Sequence, residues 1–338
     1  MIMNFLYVPS LAHMSLVKVA VAVYNVSKIT DLEGDSRLPL SLIQNEKLEA
    51  TFKDYVIKTR LPERLQKKVI SLIRTINVET EKWKWRHFKI LDWNVDVRKF
   101  LVWKLEGTID RYRTAVRLIK NDILSISKKF LLACCYCLSE YAESLWVSMS
   151  ELQRKQVLDE DEPYPSVVKY YIDKFQGENI ELRVEYCRTV AALNYFLAQS
   201  TSEQRILSLL IAVRPNSRDN HILRFCLSQM KGDELAKVFE HYPLDVLSCF
   251  IEWPLLPFFL DIANQLWTYL PAYHFFLFLE FLMSERIVPG WKDFDYEGLL
   301  VQFWLQSPSS FKEYVKQDRT FDINLLTSIL SRNRVQLT

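Results

Sequence analysis

The sequence predicts an all-α protein, an irregular α-solenoid of stacked helix pairs. Three observations predict it. Glycine occurs six times in 338 residues, where ordinary usage of about 7% would give roughly two dozen. Apolar residues recur at helical spacing through most of the chain. Long Val/Ile/Thr runs punctuated by Asn-Gly or Asp-Gly, the signal of β-hairpins, are missing. Glycine supplies positive φ angles and close backbone approach. Its scarcity leaves the ends of helices to Pro, Ser and Asp.

Met1 to Val8 is apolar but lacks a basic flank and a small-residue cleavage pattern, so no signal peptide is predicted. Residues 1–13 are expected to be a loosely ordered leader, with the folded part starting at Met14 and the natural start at Met1 or Met14. Residues 14–158 are expected to form a basic N-terminal helical half. Pro62 followed by Glu63 suits a first helical turn. Beyond it, Leu65, Val69, Leu72, Ile73 and Ile76 form an apolar face, with Arg64, Lys67, Lys68 and Arg74 mostly on the solvated side. The alternation Lys82-Trp83-Lys84-Trp85-Arg86-His87 reads as a strand or a helix entry. Phe130, Leu131, Cys134, Cys137 and Leu138 share one helix face.

Ser148-Met149-Ser150-Glu151 and Ser200-Thr201-Ser202-Glu203 each fit a Ser-x-x-Glu capping box. The acidic run Asp159-Glu160-Asp161-Glu162 and Pro163-Tyr164-Pro165 make 159–165 the expected connector. Residues 166–338 are the expected C-terminal apolar half, continuous with the first as one array. There Ile206, Leu207, Leu209, Leu210 and Val213 form a further apolar face. Pro243, Pro254, Pro257 and Pro271 cut the segment into helices of about a dozen residues. Ile262 to Leu279 lacks Asp, Glu, Lys and Arg. It carries Asn264, Gln265 and His274, however, and Pro271 is expected to split it into two buried helices rather than one membrane span.

Charge is uneven. Residues 51–130 hold 20 Lys/Arg against 9 Asp/Glu, whereas residues 131–338 hold 19 against 27. A basic region marks an anion-binding face or, more commonly, a solvated helix surface. The six cysteines, Cys134, Cys135, Cys137, Cys187, Cys226 and Cys249, read as reduced thiols in an intracellular, cytoplasmic chain.

Glycine-dependent chemistry is excluded by motif: there is no Gly-x-x-x-x-Gly-Lys, Gly-x-Gly-x-x-Gly or Gly-x-Ser-x-Gly. Cys134-Cys135-Tyr136-Cys137 contains a Cys-x-x-Cys spacing, but it lies inside an apolar helical pattern with no second pair, which favours packing over metal binding. The five histidines are scattered. Glu252, beside Trp253 and Pro254, and Asp261 nine residues on are expected to be structural acids at helix junctions. No catalytic residue, cofactor or metal ligand is predicted.

Gly107-Thr108-Ile109-Asp110 and the helices after it carry at most a degenerate ankyrin-like helix pair near 107–138, without the Thr-Pro-Leu-His signature. Four segments stand out: Gly107-Thr108-Ile109-Asp110, Ala133-Cys134-Cys135-Tyr136-Cys137-Leu138, Ile251-Glu252-Trp253-Pro254 and Phe303-Trp304-Leu305-Gln306-Ser307-Pro308. On these the chain resembles a large paralogous group of uncharacterised proteins predicted from spider genomes. The resemblance runs through most of the chain from Met14 onward. It implies an all-helical, repeat-like intracellular protein without a known catalytic set.

The expected function is that of a non-catalytic scaffold binding another protein through helix faces. The first alternative is polyanion or nucleic-acid binding through the basic region 58–129. Its candidate anion-binding residues are Lys82, Lys84, Arg86 and Lys89, interleaved with Trp83 and Trp85. The second alternative is membrane association through 262–279.

Overall fold

The computed structural model describes residues 9–26, 45–91, 96–158, 166–214 and 220–333. Among these the chain is all helical, and its one β-type pairing is an isolated antiparallel bridge between Trp103 and Ile109. The helices are α1 (Leu11–Val26), α2 (Asn45–Ile57), α3 (Glu63–Arg86), α4 (Arg111–Ile119), α5 (Ile126–Cys135), α6 (Ser139–Ser148), α7 (Glu151–Leu158), α8 (Ser166–Phe175) and α9 (Val190–Leu197). There follow α10 (Ser202–Ala212), α11 (Asn220–Gln229), α12 (Asp233–His241), α13 (Pro243–Phe250), α14 (Phe259–Leu266), α15 (Ala272–Leu282), α16 (Tyr296–Gln306), α17 (Ser309–Gln317) and α18 (Ile323–Arg332). A π-helical turn, Met283–Ile287, extends α15.

Side chains cap the starts of several of these helices. Asp110, Ser125, Thr189, Asp295 and Asp322 each accept a hydrogen bond from the backbone N–H three residues on, satisfying a donor that the helix leaves open. Pro243 opens α13, and Pro271 and Pro308 stand just before α15 and α17. Both expected capping boxes exist in a shifted register. Ser150 pairs with Gln153, and Thr201 pairs with Gln204. A Gln amide closes the box as well as a Glu carboxylate does.

Two sharp helix ends are made without glycine. Cys137 (φ 49) and Arg60 (φ 56) adopt the left-handed conformation. At Cys137 the Leu138 N–H reaches back to the Ala133 carbonyl at 2.9 Å and the Cys137 N–H to the Cys134 carbonyl at 3.0 Å, closing α5 with a six-to-one bond of the Schellman type. Two glycines permit close approach. Gly107 has φ +94, and a Cβ there would sit 3.3 Å from Val17 Cγ2 and 3.4 Å from Trp253 Nε1. A Cβ on Gly298, in the first turn of α16, would collide with the Asp295 carboxylate that caps the helix.

The chain forms two compact units. The first comprises Thr80–Lys104 and Ile109–Val238, and the second Tyr7–Glu79, Leu105–Thr108 and Phe239–Thr338. The basic region 58–129 is therefore shared between them. The expected connector 159–165 lies outside the described residues, as does residues 1–8 of the expected leader. The folded helix begins at Leu11, before Met14, and His13 is already engaged: its Nε2 is 3.3 Å from the Glu106 carbonyl and its ring 5.0 Å from Trp253.

Within each unit, helices pack on near neighbours in the chain, as in helical-repeat proteins. In the first unit α4 packs on α5, α5 on α6, α7 and α8, and α11 on α9 and α10. Its core joins Phe130, Trp146 and Phe175, with ring centroids 5.3–6.4 Å apart. The helix pair α4–α5 occupies the segment read as ankyrin-like. In the second unit α13 packs on α14, α14 on α16, α15 on α16 and α17, and α16 on α18. Phe303 anchors that core, 5.1 Å from Phe259, 4.9 Å from Phe275 and 5.3 Å from Trp267, a spacing that suits edge and offset ring packing.

The segment 262–279 is two helices, α14 and α15, broken at Pro271. No described helix is long and apolar enough to cross a membrane. On α10 the expected apolar face is incomplete: Leu209 and Val213 are buried, while Ile206 and Leu207 are exposed. Periodicity marks which residues share a face. It does not say how much of that face a neighbouring helix covers.

Candidate functional site: a helix-end aromatic surface and a buried arginine cluster

Lys82 to His87 is neither a strand nor a helix entry. It is the final turn of α3 and its exit. Residues 87–90 follow in tight turns, with the His87 N–H on the Lys84 carbonyl and the Ile90 N–H on the His87 carbonyl. Upstream, Val69 to Thr80 is buried apart from the half-buried Val78.

The candidate residues divide by burial. Trp83 is 0% exposed, whereas Trp85 is 63% exposed. Trp83 packs on His87 with ring centroids 4.4 Å apart, and His87 stacks on Tyr136. His87 Nδ1 lies 2.7 Å from the Trp83 carbonyl, so that nitrogen carries the proton. Nε2 then accepts the Tyr136 hydroxyl at 3.1 Å. Trp83 is thus a core anchor, and its place among the anion-binding candidates is corrected. An indole buried in a packed cluster offers no face to a ligand.

Trp85 points outward beside Phe88, which is 43% exposed, and the two rings lie 5.9 Å apart. Lys82 and Lys89 are exposed, and the Lys89 ammonium sits 5.9 Å from the centroid of the Phe88 ring. Lys84 and Arg86 are half-buried, and Lys84 Nζ pairs with Glu81 at 3.1 Å. Cations in a last helical turn also complement the helix dipole. Elsewhere in the basic region, Lys67 pairs with Glu63, Arg98 with Asp96, Arg113 with Asp110 and Lys129 with Asp122. Several cations of the region are therefore paired with acids.

Arg74 lies on no solvated stripe: it is 1% exposed. It belongs to a cluster in the second unit that the sequence pattern did not signal. The π-turn aims Arg286 onto three rings, with its guanidinium carbon 4.6 Å from Phe281, 4.3 Å from Trp291 and 5.9 Å from Tyr296. The Arg74 guanidinium lies 5.1 Å from the same Trp291 ring. Asp293 Oδ2 accepts the Thr75 hydroxyl at 3.1 Å and the Tyr296 hydroxyl at 3.3 Å. Burial pushes the Asp293 carboxyl up and lowers Arg74, while the charge of Arg286 draws Asp293 down and the charge of Asp293 draws Arg74 up. Opposed desolvation and charge attraction of this kind describe a cross-link between α3 and the 288–296 segment. The available signal was Pro289-Gly290-Trp291, a turn followed by a large ring.

The cysteines are all buried, and burial raises the thiols of Cys135, Cys187 and Cys226 to about 12 and of Cys137 to about 11. They are held protonated, the form that neither attacks nor ligates. No group of three or more metal-ligating side chains occurs among the described residues. Glu252 is half-buried and Asp261 exposed. The conspicuous sequence segments are largely packing positions: Gly107 meets Val17 and Trp253, the Trp253 indole N–H donates to the Glu106 carbonyl at 3.0 Å, and Cys134 to Leu138, Phe303 and Trp304 are buried.

No family model, curated protein or solved structure matches this chain.

Proposed function

We propose that this chain is a non-catalytic helical scaffold that binds another protein, and that the exit of α3 is a docking point. One observation carries the reading: Trp85 and Phe88 stand exposed side by side at the end of a helix whose preceding turns are enclosed. Indole and phenyl rings are the usual anchors of protein interfaces, because they bury much area at little conformational cost. The protonated thiols support the non-catalytic part of the reading.

The test is affinity capture with quantitative mass spectrometry, comparing the native chain with Trp85→Ala/Phe88→Ala and with Tyr273→Ala as an exposed control. A partner lost from the double variant and kept by the control is expected. An unchanged set of captured proteins would overturn the reading.

Polyanion binding stays as a second reading because of one further face. On α4, Tyr112, Arg113 and Arg117 are exposed, and Lys120 follows. A mobility shift with single-stranded oligonucleotide, titrated with salt, separates the two readings: steep salt dependence is the mark of phosphate contacts.

A further inference from the structure

We infer that Phe281, Trp291 and Tyr296 form a cage for a trimethylammonium group, and that Arg286 is a displaceable plug within it. The cage shares no residue with the α3 exit. Trp291 and Tyr296 stand at 89° with ring centroids 6.5 Å apart, making a corner. Phe281 adds a third wall, and the guanidinium carbon of Arg286 lies 4.6 Å from Phe281, 4.3 Å from Trp291 and 5.9 Å from Tyr296. Ring faces that converge on one positive centre are the means by which proteins hold quaternary ammonium ions. The Asp293 carboxyl group accepts the Tyr296 hydroxyl through Oδ2, while its Oδ1 is enclosed without a hydrogen-bond partner. It supplies the counter-charge.

Arg286 matches the cage in charge but not in hydrogen bonding. A guanidinium carries five N–H donors. Nη1 donates to the adjacent Glu285 carbonyl at 2.9 Å, a further contact reaches the Tyr296 hydroxyl, and Nε is enclosed without a partner. An enclosed donor left unpaired costs free energy, whereas a trimethylammonium group has no N–H to satisfy. The plug also has a path to solvent. Phe281 and Arg286 are half-buried, and Ser284, Glu285, Val288 and Lys292 are exposed. Arg286 stands on the π-helical turn, an irregularity that recurs at functional sites. An incoming cation replaces the arginine charge one for one, so the balance with Asp293 and Arg74 is kept.

The experiment is a ligand-observed NMR titration of the full chain with four probes: choline, its neutral tert-butyl isostere, a short peptide carrying trimethyl-lysine and the same peptide with unmodified lysine. The native chain is expected to bind choline and the trimethylated peptide, and to bind the isostere and the unmodified peptide about ten-fold more weakly. The choline and peptide arms distinguish a free small molecule from a protein side chain as the source of the group. Arg286→Gln removes the internal competitor and should tighten choline binding about ten-fold, while Arg286→Lys, which keeps a cation in the cage, should not. Phe281→Leu keeps the apolar bulk but loses a ring face, and should weaken binding about ten-fold. Circular dichroism melts verify that each variant remains folded. Equal binding of choline and its isostere, or indifference to Phe281→Leu, would overturn the cage. Binding by Arg286→Gln with none by the native chain would make the site an engineered cavity and overturn the displaceable plug, and absence of binding by every form would remove the site.

Discussion

Trp83 and Trp85 stand two residues apart on one helix, and they show what a single position decides. Their sequence context is nearly identical, with lysines or arginine on either side, yet one is 0% and the other 63% exposed. Two residues on an α-helix turn the side chain to the far side of the axis. Trp83→Ala is expected to cost about 3–5 kcal/mol through the cavity it leaves, and Trp85→Ala no more than about 0.5 kcal/mol. Urea unfolding of the two variants checks the contrast, and equal losses would refute the burial assignment. Arg60 offers the opposite case. It holds a left-handed conformation that costs an ordinary side chain energy. Arg60→Gly is expected to raise the unfolding free energy by about 0.5–1 kcal/mol, after the added freedom of the unfolded chain is counted.

At the scale of elements, caps and cross-links divide the work. The α10 box is made by Thr201 and Gln204, so Thr201→Ala should lower stability by about 1 kcal/mol. Ser200→Ala should have a smaller effect, since Ser200 Oγ donates only to the Phe196 carbonyl. Thermal melts of the pair distinguish this register from the Ser200–Glu203 register suggested by the residues alone. Competing Ser, Thr, Glu and Gln within a few positions all suit a box, and the structure takes the Thr201–Gln204 pair. The Arg286 cluster works at the same scale. The guanidinium on three rings ties the π-turn to the start of α16. Arg286→Ala is expected to destabilise by about 2 kcal/mol, and Arg286→Lys by less, because a lysine keeps the charge but loses the flat contact. Protease nicking between residues 288 and 295 should rise in the same order.

The whole molecule gathers its thiols into apolar surroundings, and this sets its response to alkali. Cys135, Cys187 and Cys226 are raised to about 12 and Cys137 to about 11, whereas an unfolded cysteine titrates near 8.5. The folded state therefore binds more protons than the unfolded one above that value. The stability due to neutral thiols is full below about pH 8.5 and is lost as pH rises through the folded values. Urea midpoints are expected to fall between pH 8.5 and 11, and less steeply in Cys226→Ala. A thiol reagent at pH 8 should label the native chain far more slowly than the denatured one, and fast labelling of the native protein would contradict the enclosure of all six cysteines.

The residues by themselves determined the helical class, the proline breaks at Pro243 and Pro271, and the packing role of the cysteine-rich helix. These follow from local causes: scarce glycine, a missing N–H, and the 3.6-residue period. Only the tertiary structure decided that Arg74 is enclosed, that Trp85 rather than Trp83 meets solvent, and that Asp293 joins Thr75 and Tyr296. Periodicity groups side chains by face but does not state which faces a distant segment covers. Arg74 and Asp293 are 219 residues apart in sequence, and their environment exists only once the chain between them has folded back.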